Sequence, residues 1–338
     1  MHAAIALSLV YVLEFVGEDD RFAAREATAV ATAVNIIAPG VATARGIDDR
    51  RAQGLALTRA AHKLVARTDA DVASAAIALD AASINRTGTV AVRARDVHGS
   101  TGVDTQQAER ELGSVLVERG FGVDLETPDH ELRALFSGDS CVLGWLAVDS
   151  TRDFSARAPT DKPFFQPGSM EPVLARAIAI IAGAAPGKTI LDPMCGTGGG
   201  LIEAGLVGAD VIGVDAQRKM VRGATDNLAH YLAGDGPLGP PGGWHVLRGD
   251  ATRLPLPDGY ADGAVFDVPY GRQSRIEERE DGGLVPASLA EARRVSSRAV
   301  VVADQSLETV ATDAGWTVGD VFERRVHRSL VRYVHVLE

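Results

Sequence analysis

The chain has little that would tie it to a membrane or to an oxidising compartment. Its one membrane candidate is the apolar run 3–13, which has no Lys or Arg ahead of it and meets Glu14 directly. A spanning helix needs roughly 20 apolar residues, and a secretory leader needs a basic start. The run therefore reads as a buried strand, and no membrane association is expected. Only two cysteines are present among 338 residues, Cys141 and Cys195, widely separated and without a second pair or a histidine cluster. That excludes a disulfide framework and leaves no tetrahedral set for zinc. No metal site is expected, and the expected location is the reducing cytoplasm.

Lysine is almost missing. Lys63, Lys162, Lys188 and Lys219 are the only four, and arginine supplies the other 30 of the 34 cations, set against 45 Asp and Glu for a net charge of -11. A nucleic-acid-binding protein is ordinarily basic, so this balance by itself favours an acidic enzyme with a small-molecule substrate. Abundant Asp with scarce Lys also resembles the proteins of salt-loving archaea, a halophilic composition in which acidity answers the solvent. In molar salt the Debye length falls to about 3 Å, so long-range attraction to phosphate is screened. Recognition of RNA would then rest on shape, hydrogen bonds and stacking, and acidity does not exclude it.

What is present divides the chain. Its length predicts two or three units with separate cores. A strand over 5–15 and an Ala-rich helix over 21–34, with Asp19 and Asp20 as candidate N-caps, form an α+β, ferredoxin-like unit at 1–50. In 51–150, Thr89-Val-Ala-Val-Arg-Ala-Arg95 alternates as a half-buried strand, a Gly-Ser-Thr-Gly loop leads into a helix over 105–119, and strands follow over 122–125 and 131–148, with a turn at Ser137-Gly138-Asp139. Nothing there looks catalytic. A linker over 151–170 is rich in proline and is expected to lack regular structure. It mixes Arg152, Arg157 and Lys162 with Phe164 and Phe165. Such a mixture suits stacking on RNA bases, and it suits equally well two rings that pin the linker to the next domain.

The segment 171–338 alternates strands (189–192, 210–215, 245–250, 263–267, 298–303) with helices (172–184, 199–207, 217–232, 286–296, 307–314). It closes with a hairpin over 317–325 and 329–337. The fold expected is α/β: a Rossmann-like, mostly parallel sheet with a C-terminal antiparallel hairpin, the class I methyltransferase variant.

Chemistry gathers at the strand ends of this segment. Asp192-Pro-Met-Cys-Gly-Thr-Gly-Gly-Gly200 sits where a strand hands over to a helix, a place where backbone N–H groups approach a ligand closely. Gly196 and Gly198 fit a dinucleotide-binding spacing, but Leu201 stands where the third glycine belongs. Asp192 would repel a pyrophosphate yet can orient an amino group, which favours S-adenosyl-L-methionine over NAD. Asp215, ending the second strand, can accept from both ribose hydroxyls of either cofactor, and Asp250-Ala251 after the third can meet an adenine amine. Any one of these acids alone reads as a solvated loop residue. Three at successive strand ends coincide less easily, because that is where such sheets bind ligands.

Asp267-Val-Pro-Tyr-Gly271 ends the fourth strand. It resembles the D-P-P-Y signature of amino-methyltransferases, which act on nitrogens outside a base ring. In that resemblance the Asp267 carboxylate and the Val268 carbonyl accept from the target amine, Pro269 holds residue 268 extended, and Tyr270 stacks on the flipped base. Val268 departs from the pattern, where proline is usual. The segment 51–150 is similar to a THUMP domain, an RNA-binding module accompanying tRNA-modifying enzymes, through Thr89–Arg95, Ala108-Glu-Arg-Glu-Leu-Gly113, Gly122-Val-Asp-Leu-Glu-Thr-Pro-Asp129 and Leu143-Gly-Trp-Leu146. With Phe164-Phe165-Gln-Pro-Gly-Ser-Met-Glu-Pro172, nearly the whole chain resembles the archaeal tRNA guanine-10 N2-methyltransferase family.

This resemblance implies S-adenosyl-L-methionine held by Asp192, Cys195, Gly196, Thr197, Gly198, Asp215, Asp250 and Ala251. It also implies tRNA held by Arg152, Arg157, Lys162, Phe165 and Arg272, and formation of N2-methyl- and N2,N2-dimethylguanosine. Guanosine 6 of tRNA and guanines of ribosomal RNA are the nearest other targets. A catalytically silent RNA-binding scaffold and a small-molecule methyltransferase or NAD-dependent oxidoreductase are the readings from other classes. The number of subunits, a monomer included, stays open.

Overall fold

The computed structural model describes residues 10–268, 283–327 and 330–338. They fall into two compact units, Met1–Ser150 and Thr151–Glu338.

The first unit begins with β1 (Val10–Phe15), α1 (Asp20–Ala27), β2 (Thr32–Ala38), β3 (Val41–Arg45), α2 (Asp49–Ala52) and β4 (Thr58–Asp69). Asp19 caps α1, its carboxylate accepting from Phe22 N at 3.0 Å. The helix stops at Ala27 and does not reach 34 as expected. Val30, Thr32, Val34, Ile36 and Ile37 are β-branched and disfavour the helix, and the chain turns into β2 instead. The sheet order of these strands, β2-β3-β1-β4, with the chain order β-α-β-β-α-β, is the ferredoxin-like arrangement. It requires β4, so a boundary at residue 50 would cut the sheet that β1 and β4 share.

The sheet continues through α3 (Val72–Ala81), β5 (Thr89–Asp96), α4 (Thr105–Glu118), β6 (Gly122–Val123), β7 (His130–Ser137) and β8 (Ser140–Asp149). The full order is β2-β3-β1-β4-β8-β7-β5-β6. Leu79 of α3 and Leu112 and Leu116 of α4 pack with Leu132, Phe136 and Leu143 of the sheet into one core.

The second unit holds α5 (Pro172–Ile181), β9 (Thr189–Asp192), α6 (Gly199–Leu206), β10 (Asp210–Asp215), α7 (Arg218–Tyr231), β11 (Trp244–Arg248), β12 (Gly263–Asp267), α8 (Leu284–Val295), β13 (Ala299–Ala303), α9 (Glu308–Asp313), β14 (Val318–His327) and β15 (Leu330–Leu337). The order is β11-β10-β9-β12-β13-β15-β14. β9 to β13 run parallel, and β15 is antiparallel to both β13 and β14. Each strand and helix read from the sequence of this segment is present, with ends shifted by up to three residues. The linker is less irregular than its prolines suggest, with short 3-10 turns at Phe154–Arg157 and Pro159–Asp161.

The chain leaves β9 for β10 on one side and later returns to β12 on the other, which makes β9/β12 the switch point of the sheet. β10 stays paired with β9 through Asp192, whereas β12 pairs with β9 only at Gly263 and Ala264. Val265, Phe266 and Asp267 therefore part from β9 and open a crevice at the C-terminal edge.

Candidate active site

Each strand delivers one acid to that edge. After Asp192 the backbone turns tightly: Met194 N donates to Asp192 Oδ1 at 3.0 Å, and Gly198 N donates to Cys195 O at 2.7 Å. Gly198 has φ +78°, a left-handed conformation that glycine adopts without strain, and it caps α6 with no side chain. Asp215 fixes the same loop from β10, accepting from Gly196 N at 3.1 Å and from Gln217 N at 2.8 Å. Asp250 follows β11, its Oδ1 accepting from Thr252 N at 2.9 Å and Thr252 Oγ1 at 2.7 Å. Asp267 ends β12, with Oδ1 buried and without a hydrogen-bond partner among the described residues and Oδ2 3.6 Å from Arg332 Nη2.

These residues line one cavity of about 610 Å³, floored by Val265 to Val268 and walled by Gln166 to Met170, Met220 and Leu284. That volume suits a cofactor-sized ligand. Its electrostatics are acidic. Burial raises Asp192 well above the usual carboxylate range, and the neighbouring Asp215 and Asp267 charges add to the effect. Burial also raises Asp215, against the two N–H groups that lower it. Asp267 is pushed up to about 7, chiefly by burial; Arg332 pulls it down and Asp304 pushes it up. A site in which carboxylates are this costly to ionise favours a ligand that brings positive charge and hydroxyl or amino donors, and it disfavours a pyrophosphate.

Of the expected ligand-binding residues, Asp192, Cys195, Gly196, Thr197, Asp215, Asp250 and Ala251 all line the cavity, as do Asp267 and Val268. The Cys195 thiol is raised well above its ordinary value by burial and stays neutral. Gly198 is not part of this lining; its Cα faces Ala224 of α7, and its contribution is the turn. Pro269, Tyr270 and Arg272 lie outside the described residues.

Two of the expected RNA contacts are corrected. Arg157 is 4% exposed, with Nε on Glu203 Oε1 at 2.7 Å and Nη1 on Asp153 Oδ2 at 2.8 Å. Glu203 is buried in α6 and would be costly there without this partner and Arg176, whose Nη2 lies 2.7 Å from Oε2. Lys162 is buried as well. Neither side chain is presented to a phosphate or a base. Arg152 is exposed and stacks 5.5 Å from the Phe154 ring. The two linker rings differ. Phe165 is exposed, whereas Phe164 pins the linker to α7, lying so close to Gly223 that a Cβ there would fall 2.0 Å from its ring.

Sequence reasoning did not single out Asn227, fully buried in α7. It accepts from Phe164 N at 2.8 Å and donates to Phe164 O and Thr197 O at 2.9 Å each. Nor did it assign the cavity wall at 166–170 or Arg332, whose Nη2 also donates to Gly168 O at 3.4 Å. The signal for the wall was the motif Phe164 to Pro172.

A seven-stranded sheet of this order, with an acidic cleft at its switch point, defines a Rossmann-like methyltransferase. A family described as "RMKL-like, methyltransferase domain" matches residues 159–333. The tRNA (guanine(10)-N2)-dimethyltransferase of Methanothermobacter thermautotrophicus is 38% identical over 257 residues, 73% of this chain and 72% of that one. The protein of the same name from Pyrococcus abyssi is 31% identical over 258 residues, 74% of each chain. TrmN from Thermus thermophilus shares the fold, with a TM-score of 0.51 at 23% identity over 97% of this chain and 99% of that one. The chain belongs to the tRNA (guanine(10)-N2)-dimethyltransferase family.

Proposed function

We propose that the protein transfers methyl groups from S-adenosyl-L-methionine to the exocyclic N2 of guanosine 10 in tRNA, giving N2-methylguanosine and then N2,N2-dimethylguanosine. The observation that carries this reading is Asp267, a carboxylate with one buried oxygen that has no partner among the described residues, at the edge of a cavity with three further acids. The guanine N2 lone pair is delocalised into the ring and is a poor nucleophile. Asp267 Oδ1 and the Val268 carbonyl are acceptors for its two N–H groups and localise density on nitrogen. Each methyl added displaces one proton, and Asp267, held near 7, takes it. When bound, the cofactor supplies a methyl on a positively charged sulfur that departs as a neutral thioether.

The residues present suit that cofactor. Asp215, with one N–H on each oxygen, retains acceptor capacity for ribose hydroxyls. Asp250 and Ala251, which line the cavity, are proposed to meet the adenine edge, and the carboxylates offset the sulfonium charge. Residues 1–150, the ferredoxin-like unit that β4 closes and the THUMP-like region that follows it, are the part proposed to hold tRNA, with Arg152 and Phe165 of the linker as additional contacts. The cytoplasm is the proposed location, on the ground of the proposed tRNA substrate. Among the described residues no helix is long and apolar enough to cross a membrane.

The test is incubation with methyl-labelled cofactor and unmodified tRNA transcripts, followed by nucleoside analysis. Incorporation as N2-methylguanosine that disappears when guanosine 10 is replaced by adenosine supports the reading. Label that persists and maps to guanosine 6 or another guanine overturns the position, and no label with any RNA overturns the activity.

A further inference from the structure

The end of β12 accounts for the polarising of an amine and leaves the choice of base open. Guanine and adenine both carry an exocyclic amine whose lone pair is delocalised into the ring, so the acceptors that activate one suit the other as well. The two bases differ in what stands beside the amine. Guanine presents the N1–H donor there and then the O6 acceptor, whereas adenine presents N1 as an acceptor and then only a C–H. An extruded base is read by hydrogen bonds to this edge.

Asp192, Asp215 and Asp250 come from β9, β10 and the end of β11, all on one side of β12. With the cofactor held there, a base reaches Asp267 from the other side, which β13 and β15 bound. Asp267 pairs with Val302 of β13, and Ala303 with Tyr333 of β15, so Arg332 arrives at the same edge. Arg332 is 6% exposed, and its Nη2 lies 3.6 Å from Asp267 Oδ2 and donates to Gly168 O of the cavity wall at 3.4 Å. A charge-assisted hydrogen bond is shorter than the first of these distances. The guanidinium therefore stands beside the carboxylate without closing on it. In order of approach to the arginine, Oδ1, Oδ2 and Nη2 run acceptor, acceptor, donor. The guanine edge from N2 through N1 to O6 runs donor, donor, acceptor, which is its complement.

We infer that Arg332 is a specificity residue for guanine, its Nη2 donating to O6 of the target base while Asp267 Oδ2 accepts from N1–H beside the N2–H held by Oδ1. The inference rests on the function proposed above and adds the residue that chooses the base. Adenine in the same place sets the N1 lone pair against the carboxylate and offers the guanidinium no acceptor. A site whose polar groups are left unpaired by the wrong substrate rejects it strongly.

The test compares methylation by the full chain of tRNA carrying guanosine or 2-aminopurine at position 10. 2-Aminopurine keeps the amine at C2 but has an unprotonated N1 and no O6. kcat/KM is read on the alkaline plateau of each pH profile, where Asp267 is ionised. The wild type is expected to prefer guanosine by about 10²-fold or more, and Arg332→Met to reduce that ratio by about tenfold or more. An arginine that only adjusts Asp267 changes both substrates by the same factor. A ratio in Arg332→Met within about twofold of wild type, or a wild type without preference, overturns the assignment and leaves the guanosine activity standing. If circular dichroism shows Arg332→Met unfolded, Arg332→Lys decides by the same ratio, since it keeps the charge and loses the planar fork. No methylation of the guanosine tRNA by the wild type overturns the proposed function, and the inference with it.

Discussion

Asp267 combines a position and a charge state that belong together. At the end of β12 it is buried enough to sit near pKa 7, yet Arg332 keeps its ionised form within reach. The carboxylate is the form that accepts a proton, and it predominates above the pKa. Below about pH 7, kcat/KM should therefore fall about tenfold per pH unit. Arg332→Met removes the cation that lowers the pKa, so the acidic limb should move to higher pH; a limb that does not move would separate Arg332 from Asp267. Asp267→Asn keeps the shape without the proton acceptor and should cost about 10²-fold or more in turnover, with cofactor affinity by calorimetry near wild type. The motif made Asp267 visible in the sequence. Its pKa was not, because burial and an arginine from β15 set it.

At the scale of elements, the cavity wall is held by side chains that a periodic reading assigns to surfaces. Asn227 looks like a polar position of an amphipathic helix, but it is fully buried and joins linker, loop and α7 through three hydrogen bonds. Asn227→Ala leaves the Phe164 and Thr197 backbone groups unpaired and should lower unfolding free energy by about 1–3 kcal/mol, measured in urea. Cofactor affinity should fall with it, since 166–170 loses its anchor. Full stability in the variant would mean that the linker is held by Phe164 alone. β4 shows the same limit from the other side. Arg59-Ala-Ala-His-Lys-Leu-Val-Ala-Arg67 has no clean period of two, yet it is the strand that joins β1 to β8.

Across the whole molecule, acidity sets how the protein responds to its solvent. With 45 Asp and Glu against 34 Lys and Arg, carboxylates are in excess by 11, and the repulsion among that excess is screened by solvent cations. The melting temperature should therefore rise from millimolar to molar salt, as followed by circular dichroism. A flat response would remove the reading of the composition as an adaptation to salt. The same composition explains why the electrostatics of the cavity could not be read from totals. Net charge says nothing about which carboxylates face one another, and Asp192, Asp215 and Asp267 are coupled only because three strands end at one edge.

The sequence alone determined the alternation of strands and helices from β9 onward, the acids at their ends and the motif that ties them to amino-group chemistry. Apolar period, glycine turns and strand-end acids are local, and a parallel sheet always presents those ends on the same edge. Tertiary structure decided the rest. It closed the ferredoxin-like unit with β4, buried Arg157 and Lys162 where solvent-facing cations were expected, and set Phe164 against Gly223 while leaving Phe165 exposed. Burial depends on which distant segments pack together, and a single residue's type or its neighbours in the chain do not specify that partner.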